Sequence, residues 1–514
     1  MSISIHKKPI VWTISGSDCS GGAGIAADIK TGHSLGVEVC HLITANTIQN
    51  SEKLLSVNPV DTDILQQQVN VLIDDKPPLV IKIGLLASIE QINWLTSTLI
   101  DVKSKYPALI VVFDPVGQAS VGGAFAQLQR EDLSSLLALV DVITPNLSEA
   151  QQLSNLKSAK PAELAERISK LGVNSVIVKG GHSYALDSNG QKISRDYCLH
   201  HNKEVPISYQ LTSPRINTHC NHGGGCSFAS ALAAFLAQGY LVRDAFTLTK
   251  TFINQGLAKS HKNEIAMSDY YGAFEQTNWP NKAEYFPRIS TELTQKYSAL
   301  GAFPALDLIN ENSNKLGLYP VVNSLYWLKR LFPLGLEIIQ LRLKNKTAQE
   351  IEPLIIEAIT LSKQFKTRLF INDYWQLAIK HGAYGVHIGQ EDLQNADLAA
   401  IQQASLRLGI STHGCYEFLL SQQLKPSYLA IGAIFPTKTK NMTGQIQGVE
   451  NLKQILKLST DIPVVAIGGI NQQKAKQVWQ TGVDSIAVVT AITESKSAEI
   501  AIKQFQQILL KTKQ

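Results

Sequence analysis

The stretch PVVAIGGINQQKAKQVWQTGVDSIAVVTAI, residues 463–492, contains the pattern that decides the fold of the C-terminal half. An apolar run ends at a glycine pair, a segment with helical spacing follows over 472–480, and a second apolar run ends at Thr490. Near-continuous apolar runs of this length are typical of parallel strands that are buried on both faces. The stretch therefore predicts a strand–helix–strand unit.

The same rhythm extends upstream to residue 317. It gives eight strand candidates in chain order: GLYPVV, LEIIQLRLK, RLFINDY, AYGVHIGQED, LRLGISTH, YLAIGAIF, PVVAIGGI and DSIAVVTAI. Helical segments such as 348–364 separate them. About 200 residues holding eight strand–helix units predict a closed TIM (β/α)8 barrel. Ligands of such barrels bind at the C-terminal ends of the strands.

The first half shows a related but open arrangement. Its apolar runs are PIVWTISGSD, LVIKIGLL, LIVVFDPV, VDVITPN and SVIVKGG, with helical stretches at 162–171 and after residue 225. This alternation predicts an α/β doubly wound sheet. The polar, proline-bearing stretch 277–314 interrupts the pattern. We therefore predict a first domain over 1–276, a linker over 277–314 with a short helix within 291–300, and a second domain over 315–514.

Composition excludes several classes of protein. The chain has 514 residues, of which 44% are hydrophobic and 17% charged, so it can bury large cores and is not disordered. A net charge of +5 is small for this length and gives no reason to expect nucleic acid or an acidic membrane as partner. The six cysteines form no CxxC pair. With no signal-peptide pattern at its start, we expect a cytoplasmic protein. A homo-oligomer stays open.

Two glycine-rich segments of the first half precede helices. Residues 17–24 read SDCSGGAG, and residues 222–227 read HGGGCS before an apolar helix. Glycines let the backbone approach a ligand closely, and a helix N-terminus favours anions. Asp114, Asn146, Glu149 and Lys179 follow neighbouring strands. Carboxylates for a hard cation, a lysine for phosphate charge and a glycine loop are what phosphoryl transfer requires.

These segments carry a family resemblance. SGSDCSGGAGIAADIKT, ITANTIQN, IKIGLLA, DPV, TPNLSEA, VKGGH and HGGGCS occur in the order found in hydroxymethylpyrimidine (phosphate) kinases of the ribokinase superfamily, which the first ~270 residues resemble. The resemblance implies ATP as co-substrate and an anion hole made by the backbone of Gly223, Gly224 and Gly225. It implies that Cys226 activates the acceptor hydroxyl, and we expect the helix N-terminus to lower its thiol pKa.

The same resemblance assigns the substrate contacts. Asp28 and Gln49 correspond to residues that hydrogen-bond the aminopyrimidine and its hydroxymethyl group. Lys179 would contact the phosphates of ATP, and Asn146 and Glu149 would hold Mg²⁺ directly or through water. The loop reads GGGC where the family has GTGC, which keeps the backbone donors but makes the loop less preorganised. Two other departures affect fine specificity: DPVM becomes DPVG at Gly117, and Leu85 stands where a methionine is common.

Simpler interpretations of these residues stay open. Asp28 and Glu149 could be charges in the first turn of a helix, and Gln49 could be a turn residue. The cysteine and histidine pattern over 219–226 also resembles a metal-ligand cluster, but a structural zinc site usually needs a second paired motif.

The strand ends of the second half are rich in polar groups. Gln340, Arg342 and Lys344 alternate along QLRLK and so point to one face of a strand. The other polar residues follow later strands: Asn372 and Asp373, Asp392, Ser411, Thr437, Thr439 and Lys440, Gly469, and Thr490. Cations beside two aspartates predict a site for a metal-bound polyphosphate.

Residues 316–511 closely resemble thiamine phosphate synthases. The matching strings are LYPVVN, QLRLKNK, INDY, GVHIGQEDL, GISTH, IGAIFPTKTK, VVAIGGI and AVVTAI. The resemblance implies that Asp373 and Asp392 bind Mg²⁺ on a diphosphate and that Ser411, a catalytic and substrate-binding residue, lies near the diphosphate and the reacting centre. It assigns the remaining residues to three contacts: Gln340 to the pyrimidine; Arg342, Lys344, Asn372 and Lys440 to the diphosphate; and Thr437, Thr439, Gly469 and Thr490 to the thiazole phosphate.

Together the two resemblances predict a bifunctional enzyme of thiamine biosynthesis that acts on small molecules. The first half would phosphorylate hydroxymethylpyrimidine and its monophosphate, and the second would couple the diphosphate to hydroxyethylthiazole phosphate. The alternative is a pyridoxal-type kinase joined to a barrel that binds thiamine phosphate as a regulatory module. That alternative predicts the loss of the metal ligands, yet Asp373 and Asp392 are both present.

Overall fold

A computed structural model describes residues 8–50, 53–116, 130–181, 185–201, 206–266, 272–306, 315–344, 347–437, 446–459 and 461–511. The chain divides into two compact units, Met1–Thr291 and Glu292–Gln514. This division falls inside the stretch predicted as a linker. Residues on its N-terminal side include an edge strand of the first unit, and residues on its C-terminal side pack on the second.

The first unit alternates strands and helices. Its strands in the described residues are β1 (Ile10–Ser17), β2 (Glu38–Gln49), β3 (Leu54–Pro59), β4 (Val80–Ile83), β5 (Ile110–Phe113), β6 (Val142–Ile143), β7 (Ser175–Val178), β8 (Ala185–Leu186), β9 (Lys192–His201), β10 (Pro206–Pro214) and β11 (Arg288–Ser290). Its helices are α1 (Gly24–Ser34), α2 (Thr62–Asp75), α3 (Ile89–Lys105), α4 (Arg130–Leu137), α5 (Leu147–Ser154), α6 (Pro161–Ser169), α7 (Gly224–Ala237) and α8 (Val242–Ala266).

These strands form one mixed sheet in the order β11-β10-β9-β7-β6-β5-β4-β1-β2-β3, with β8 beside β9. Within this order, every neighbouring pair in the segment β7-β6-β5-β4-β1-β2 is parallel, which confirms the predicted doubly wound sheet. Antiparallel strands extend both edges, at β3 and at β9 to β11. The sequence did not reveal these edges because polar residues interrupt their apolar runs, as in KISRDYCLHH of β9.

Helix α7 explains how the sheet positions its glycine loop. Every residue from Ser227 to Ala237 is buried, as expected for a helix that is apolar on all sides. It packs against β1, β4 and β5 on one side and against α1 and α8 on others. Its N-terminus is therefore fixed at the C-terminal edge of the parallel strands, where ligands of such sheets bind.

The second unit is a barrel. Its described strands are β12 (Gly317–Val322), β13 (Ile338–Leu341), β14 (Arg368–Asn372), β15 (Gly385–Ile388), β16 (Arg407–Thr412), β17 (Tyr428–Ile431), β18 (Val464–Ile467) and β19 (Ser485–Val488). Its helices are α9 (Glu292–Lys296), α10 (Leu325–Leu331), α11 (Ala348–Gln364), α12 (Trp375–Lys380), α13 (Gln390–Leu393), α14 (Leu398–Gln403), α15 (Cys415–Gln422), α16 (Gly448–Leu456), α17 (Gln472–Trp479), α18 (Thr490–Thr493) and α19 (Ala498–Lys511).

The eight strands close in sequence order, and every neighbouring pair is parallel, which confirms the predicted TIM barrel. Rings of Tyr319, Phe370 and Tyr428 fill the interior. Part of the predicted linker belongs to this unit, since the Tyr297 hydroxyl donates to the carbonyl of Ala396 at 3.0 Å. Within the part of the chain that the structure describes, no helix has the length and apolar character to cross a membrane.

Candidate active sites

The two glycine loops of the first unit lie directly against each other. Gly223 has φ +82°, and a Cβ there would come within 1.9 Å of the carbonyl oxygen of Gly22. The amide of Gly24 donates to the sulfur of Cys226. Residues 17–24 and 222–227, separated by some 200 positions in sequence, therefore form one surface at the start of α7. Among the predicted anion-hole donors, the Gly224 amide already donates to the carbonyl of Asn221 at 2.9 Å.

A hydrogen bond between the loops adds to this contact. The carboxylate of Asp18 accepts from His222 Nε2 at 2.8 Å and from the amides of Ser20 and Ala23. Burial alone would raise the pKa of Asp18, but these hydrogen bonds hold it well below its usual range. Gln49, a predicted substrate contact, is buried close by, and its Oε1 has no hydrogen-bond partner among the described residues. A ligand donor would satisfy it.

Asp28 lies deeper than the sequence suggested. Its side chain is 1% exposed, and it accepts from Lys82 at 2.8 Å, from Thr13 at 2.6 Å and from Ser230 at 2.6 Å. The network ties α1 to β1, β4 and α7. The Oδ1 of Asp28 accepts from Ser230 alone among these donors, whereas Oδ2 accepts from both Thr13 and Lys82, so the contact with an aminopyrimidine stays a prediction. The burial of this side chain excludes the simpler interpretation of Asp28 as an exposed helix charge.

Lys82 is a charged residue of the site that sequence reasoning missed. Its side chain is 0% exposed. Burial alone would lower its pKa, but Asp28, Cys226 and Asp114 raise the pKa above the usual value, so the ammonium stays charged. A signal was present: a lysine inside the apolar strand VIKI must have a buried partner.

The predicted phosphate-side residues come together. Lys179 Nζ donates to Asp114 at 2.7 Å, and a Cβ on Gly225 would lie within 4 Å of both groups. Burial would lower the pKa of Lys179, but Asp114 and Glu149 raise it. Asn146 and Glu149 form a capping box at the start of α5, each side chain accepting from the other's amide. Lys179 and Asp114 thus meet at the start of α7, and Glu149 lies close enough to Lys179 to act on its charge.

The expectation of a lowered pKa for Cys226 is wrong. Burial raises the pKa of this thiol to about 11, and the nearby carboxylates of Asp28 and Asp114 add to the increase, although Lys82 opposes it. Desolvation disfavours the thiolate more than the helix N-terminus favours it. Cys226 therefore holds its proton at neutral pH in the structure described.

The barrel carries a cavity of about 240 Å³ at the C-terminal ends of its strands. Every synthase residue predicted from the sequence that falls within the described ranges lines it: Gln340, Arg342, Lys344, Asn372, Asp373, Asp392, Ser411, Thr437, Gly469 and Thr490. Thr439 and Lys440 lie outside the described residues. Side chains that are up to 150 positions apart in sequence are gathered because the strands are parallel and in order.

Two aspartates give the cavity an unusual electrostatic character. Burial and the neighbouring charge of Asp392 raise the pKa of Asp373 to about 6, against the opposing effect of Arg342 and Lys344. Asn372 Nδ2 donates to the Asp373 carboxylate. Two carboxylates that repel each other while facing two cations suit a divalent ion bound to an anion. Among the described residues no group of three or more His, Cys, Asp or Glu is placed to hold a metal ion.

Ser411 is held by residues that the sequence analysis missed. Its hydroxyl lies 2.8 Å from His387 Nε2, and His387 Nδ1 lies 2.7 Å from the hydroxyl of Tyr428. The only available signal was the position of His387 in the strand motif GVHI, where it alternates with apolar residues and points into the barrel.

The glycine pair that follows β18, Gly468 and Gly469, packs against the loop that follows β17. Gly469 has φ +63°, and a Cβ there would come within 2.5 Å of the carbonyl oxygen of Pro436. The amide of Phe435 donates to the carbonyl of Gly468 at 3.0 Å. Thr437 and Thr490 flank this contact in the cavity lining. The hydroxyl-bearing residues Thr437 and Thr490 therefore line the same cavity as the glycine pair.

Comparisons with known proteins match each half of the chain to a family. The thiamine-phosphate synthase of Yersinia pseudotuberculosis is 53% identical over 195 residues, which cover 38% of this chain and 91% of that protein. The chain belongs to the thiamine-phosphate synthase family. The family model for thiamine monophosphate synthase matches residues 318–492, and the one for phosphomethylpyrimidine kinase matches residues 18–270.

Two solved kinase structures are also similar to part of this chain. A phosphomethylpyrimidine kinase from Clostridium difficile is 30% identical, with a TM-score of 0.39, and covers 48% of this chain and 99% of that one. A pyridoxal kinase from Staphylococcus aureus in complex with pyridoxal is 30% identical, with a TM-score of 0.45, over 55% and 98% of the two chains.

The thiamine-phosphate synthase barrel thus shares its chain with a phosphomethylpyrimidine kinase domain. The protein is a bifunctional transferase of thiamine biosynthesis. The kinase-family match and the intact aspartate pair do not favour the alternative of a pyridoxal-type kinase with a regulatory barrel.

Proposed function

We propose that the chain catalyses three consecutive reactions. The first unit transfers a phosphoryl group from ATP to hydroxymethylpyrimidine and then to its monophosphate. The barrel couples the resulting diphosphate to hydroxyethylthiazole phosphate and releases diphosphate and thiamine phosphate. The observation that carries the proposal is the barrel cavity, where the cations Arg342 and Lys344 face the carboxylates of Asp373 and Asp392. We expect the enzyme to work in the cytoplasm.

In the kinase unit, the charges at the start of α7 support a role in phosphoryl transfer. Lys179 neutralises the ATP phosphates, and the backbone of 223–225 stabilises the transferred group, as such reactions require. Since Lys179 is held by Asp114 at 2.7 Å, its ammonium is preorganised. Gln49 contacts the pyrimidine. Cys226 lies next to the acceptor hydroxyl, where its thiol is a hydrogen-bond donor until a base removes the proton.

Mg²⁺ fits both units by the chemistry of the donor groups. In the kinase we assign it to Asn146 and Glu149, directly or through water, and in the barrel to Asp373 and Asp392. The raised pKa of Asp373 supports the barrel assignment, because a cation would relieve the repulsion from Asp392. Mg²⁺ there supplies charge neutralisation of the diphosphate.

In the barrel, the chain's own residues favour departure of the diphosphate. Arg342, Lys344, Asn372 and Lys440 stabilise the leaving negative charge, and Gln340 orients the pyrimidine. With the positive charge left on the pyrimidine methylene, the thiazole nitrogen attacks. The contacts to the thiazole phosphate come from Thr437, Thr439, Gly469 and Thr490. An enzyme nucleophile is not required.

Variants that block different steps test the proposal. Asp392→Ala should abolish thiamine phosphate formation while the pyrimidine diphosphate accumulates, because the kinase unit is untouched. Lys179→Ala should stop the sequence before any diphosphate forms, and added pyrimidine diphosphate should restore product formation. Liquid chromatography of the pyrimidine species distinguishes the steps. Synthesis at the wild-type rate by Asp392→Ala would refute the role of the aspartate pair.

A further inference from the structure

Four hydrogen-bonded side chains cross the barrel interior and end at the cavity. The Tyr319 hydroxyl lies 2.8 Å from that of Tyr428, which lies 2.7 Å from His387 Nδ1, and His387 Nε2 lies 2.8 Å from Ser411 Oγ. Tyr319 stands on β12, Tyr428 on β17, His387 on β15 and Ser411 on β16. We refer to these four residues as the hydroxyl chain.

The inner end of the hydroxyl chain is enclosed by aromatic rings. Tyr319 and Tyr428 are almost fully buried, and their rings contact each other and Phe370. Among the described residues, the Tyr319 hydroxyl has a single hydrogen-bond partner, which is the hydroxyl of Tyr428. Burial raises the pKa of both tyrosines far above the usual value, so each hydroxyl keeps its hydrogen atom.

These facts give the hydroxyl chain a direction. If Tyr319 donates to Tyr428, then Tyr428 donates to His387 Nδ1 and His387 Nε2 donates to Ser411. In the opposite direction, the hydrogen of Tyr319 would point into apolar surroundings that offer no acceptor among the described residues. A buried donor without a partner carries its full desolvation cost, whereas an oxygen that only lacks a donor costs less. The first direction is therefore favoured.

We propose that the hydroxyl chain fixes His387 as the Nε2–H tautomer and thereby directs the hydrogen of the Ser411 hydroxyl into the cavity. Ser411 Oγ is already an acceptor for His387, so its own hydrogen is available to an anionic ligand. In the opposite direction, Ser411 would donate that hydrogen to His387 and present lone pairs to the diphosphate. Tyr319, Tyr428 and His387 are thus positioning residues that act through Ser411. The inference rests on the proposed synthase reaction and on the place of Ser411 near the diphosphate, which the family resemblance implies.

Nitrogen NMR of the full chain tests the tautomer without reference to activity. With ¹⁵N-labelled histidine, the His387 signals are assigned by their loss in His387→Gln. We expect a protonated Nε2 and an unprotonated Nδ1. A protonated Nδ1, in either the other tautomer or the imidazolium form, would overturn the proposed direction.

Two matched tyrosine variants sharpen the test. Tyr319→Phe leaves Tyr428 as the buried end, and its hydrogen still has His387 Nδ1 as acceptor, so the Nε2–H tautomer should persist. Tyr428→Phe removes the donor to Nδ1 and should yield a mixture of tautomers. If Tyr428→Phe leaves the tautomer unchanged, or Tyr319→Phe alters it, the hydroxyl chain does not set the direction.

Kinetics connect the tautomer to Ser411. Ser411→Ala should lower the synthase kcat/KM about 10-fold, mostly in kcat, since one hydrogen bond to a charged group is lost. Tyr428→Phe should lower it by less, and the double variant should match Ser411→Ala alone. Additive losses would indicate a merely structural role for Tyr428. An unchanged rate for Ser411→Ala would instead refute the contact of Ser411 with the diphosphate. Hydrogen exchange of barrel peptides serves as the folding control for each variant, because the kinase activity reports on the other unit.

Discussion

Replacing Asp373 with asparagine should stabilise the ligand-free barrel. Burial and Asp392 raise the pKa of Asp373 from 3.8 to about 6. At 1.36 kcal/mol per pKa unit, ionisation in the folded state costs about 3 kcal/mol above pH ~6. Partial exposure of the carboxylate screens this cost, which leaves about 1–2 kcal/mol. The backbone imposes no penalty, because asparagine tolerates the φ of +66° found at this position.

The sign of the pH dependence follows from the raised pKa. A carboxyl group with a higher pKa in the folded state than in the unfolded state costs nothing below pH ~4, where both states are protonated. The cost grows as pH rises through the interval between the two pKa values and is complete above the folded value. Asp373→Asn should therefore gain about half as much stability at pH 5 as at pH 7.5.

Hydrogen exchange of the full chain, measured by mass spectrometry in increasing urea without Mg²⁺, reports the unfolding of barrel peptides separately from the kinase unit. Peptides of β14 should show a free energy of unfolding about 1–2 kcal/mol higher for Asp373→Asn at pH 7.5. Asp461→Asn, which removes an exposed carboxylate in the same unit, should change it by less than ~0.5 kcal/mol. A less stable Asp373→Asn variant, or an equal gain at both pH values, would refute the electrostatic reasoning.

Two further predictions concern the kinase unit. Gly223→Ala should lower phosphorylation by about 100-fold or more in a kinase assay, because its Cβ would come within 1.9 Å of the Gly22 carbonyl oxygen at a φ of +82°. Gly224→Ala, whose Cβ meets nothing within 4 Å, should leave the melting temperature of the unit unchanged. An equal loss of kinase activity in both variants would contradict the steric explanation for Gly223. The Cys226 thiol, with its pKa of about 11, should react with iodoacetamide at a rate that rises about tenfold per pH unit from pH 7 to 9. Peptide mass spectrometry measures this rate. A plateau of the rate in that range would mean that a thiolate forms near neutral pH.

The sequence was sufficient to predict the barrel and the residues that line its cavity. Each barrel strand is a short apolar run, and parallel order places every strand end at one rim. Polar residues after those runs, such as Arg342, Asp373 and Ser411, could therefore be assigned to one site. The hydrogen-bond partners of Ser411 inside the barrel could not be predicted, because the contact of His387 with Tyr428 joins strands that are not neighbours in the sequence.

The kinase unit shows where sequence reasoning reaches its limit. Motifs indicated which residues gather at the start of α7, and Lys179 and Asp114 do meet there. They did not indicate burial, which decides the state of each group. Desolvation makes Cys226 a protonated thiol, and the buried ammonium of Lys82 engages Asp28. Both effects depend on the packing of α1 and α7 on the sheet, which no local pattern encodes.

An assay of the complete reaction sequence shows whether the chain makes thiamine phosphate from hydroxymethylpyrimidine. The purified chain is given hydroxymethylpyrimidine, hydroxyethylthiazole phosphate, ATP and Mg²⁺, and the products are followed by chromatography. We expect thiamine phosphate, with two ADP formed for each molecule of product, since both phosphorylations precede the coupling. ADP formation without thiamine phosphate, or phosphorylation of pyridoxal in preference to the pyrimidine, would contradict the proposed reaction sequence.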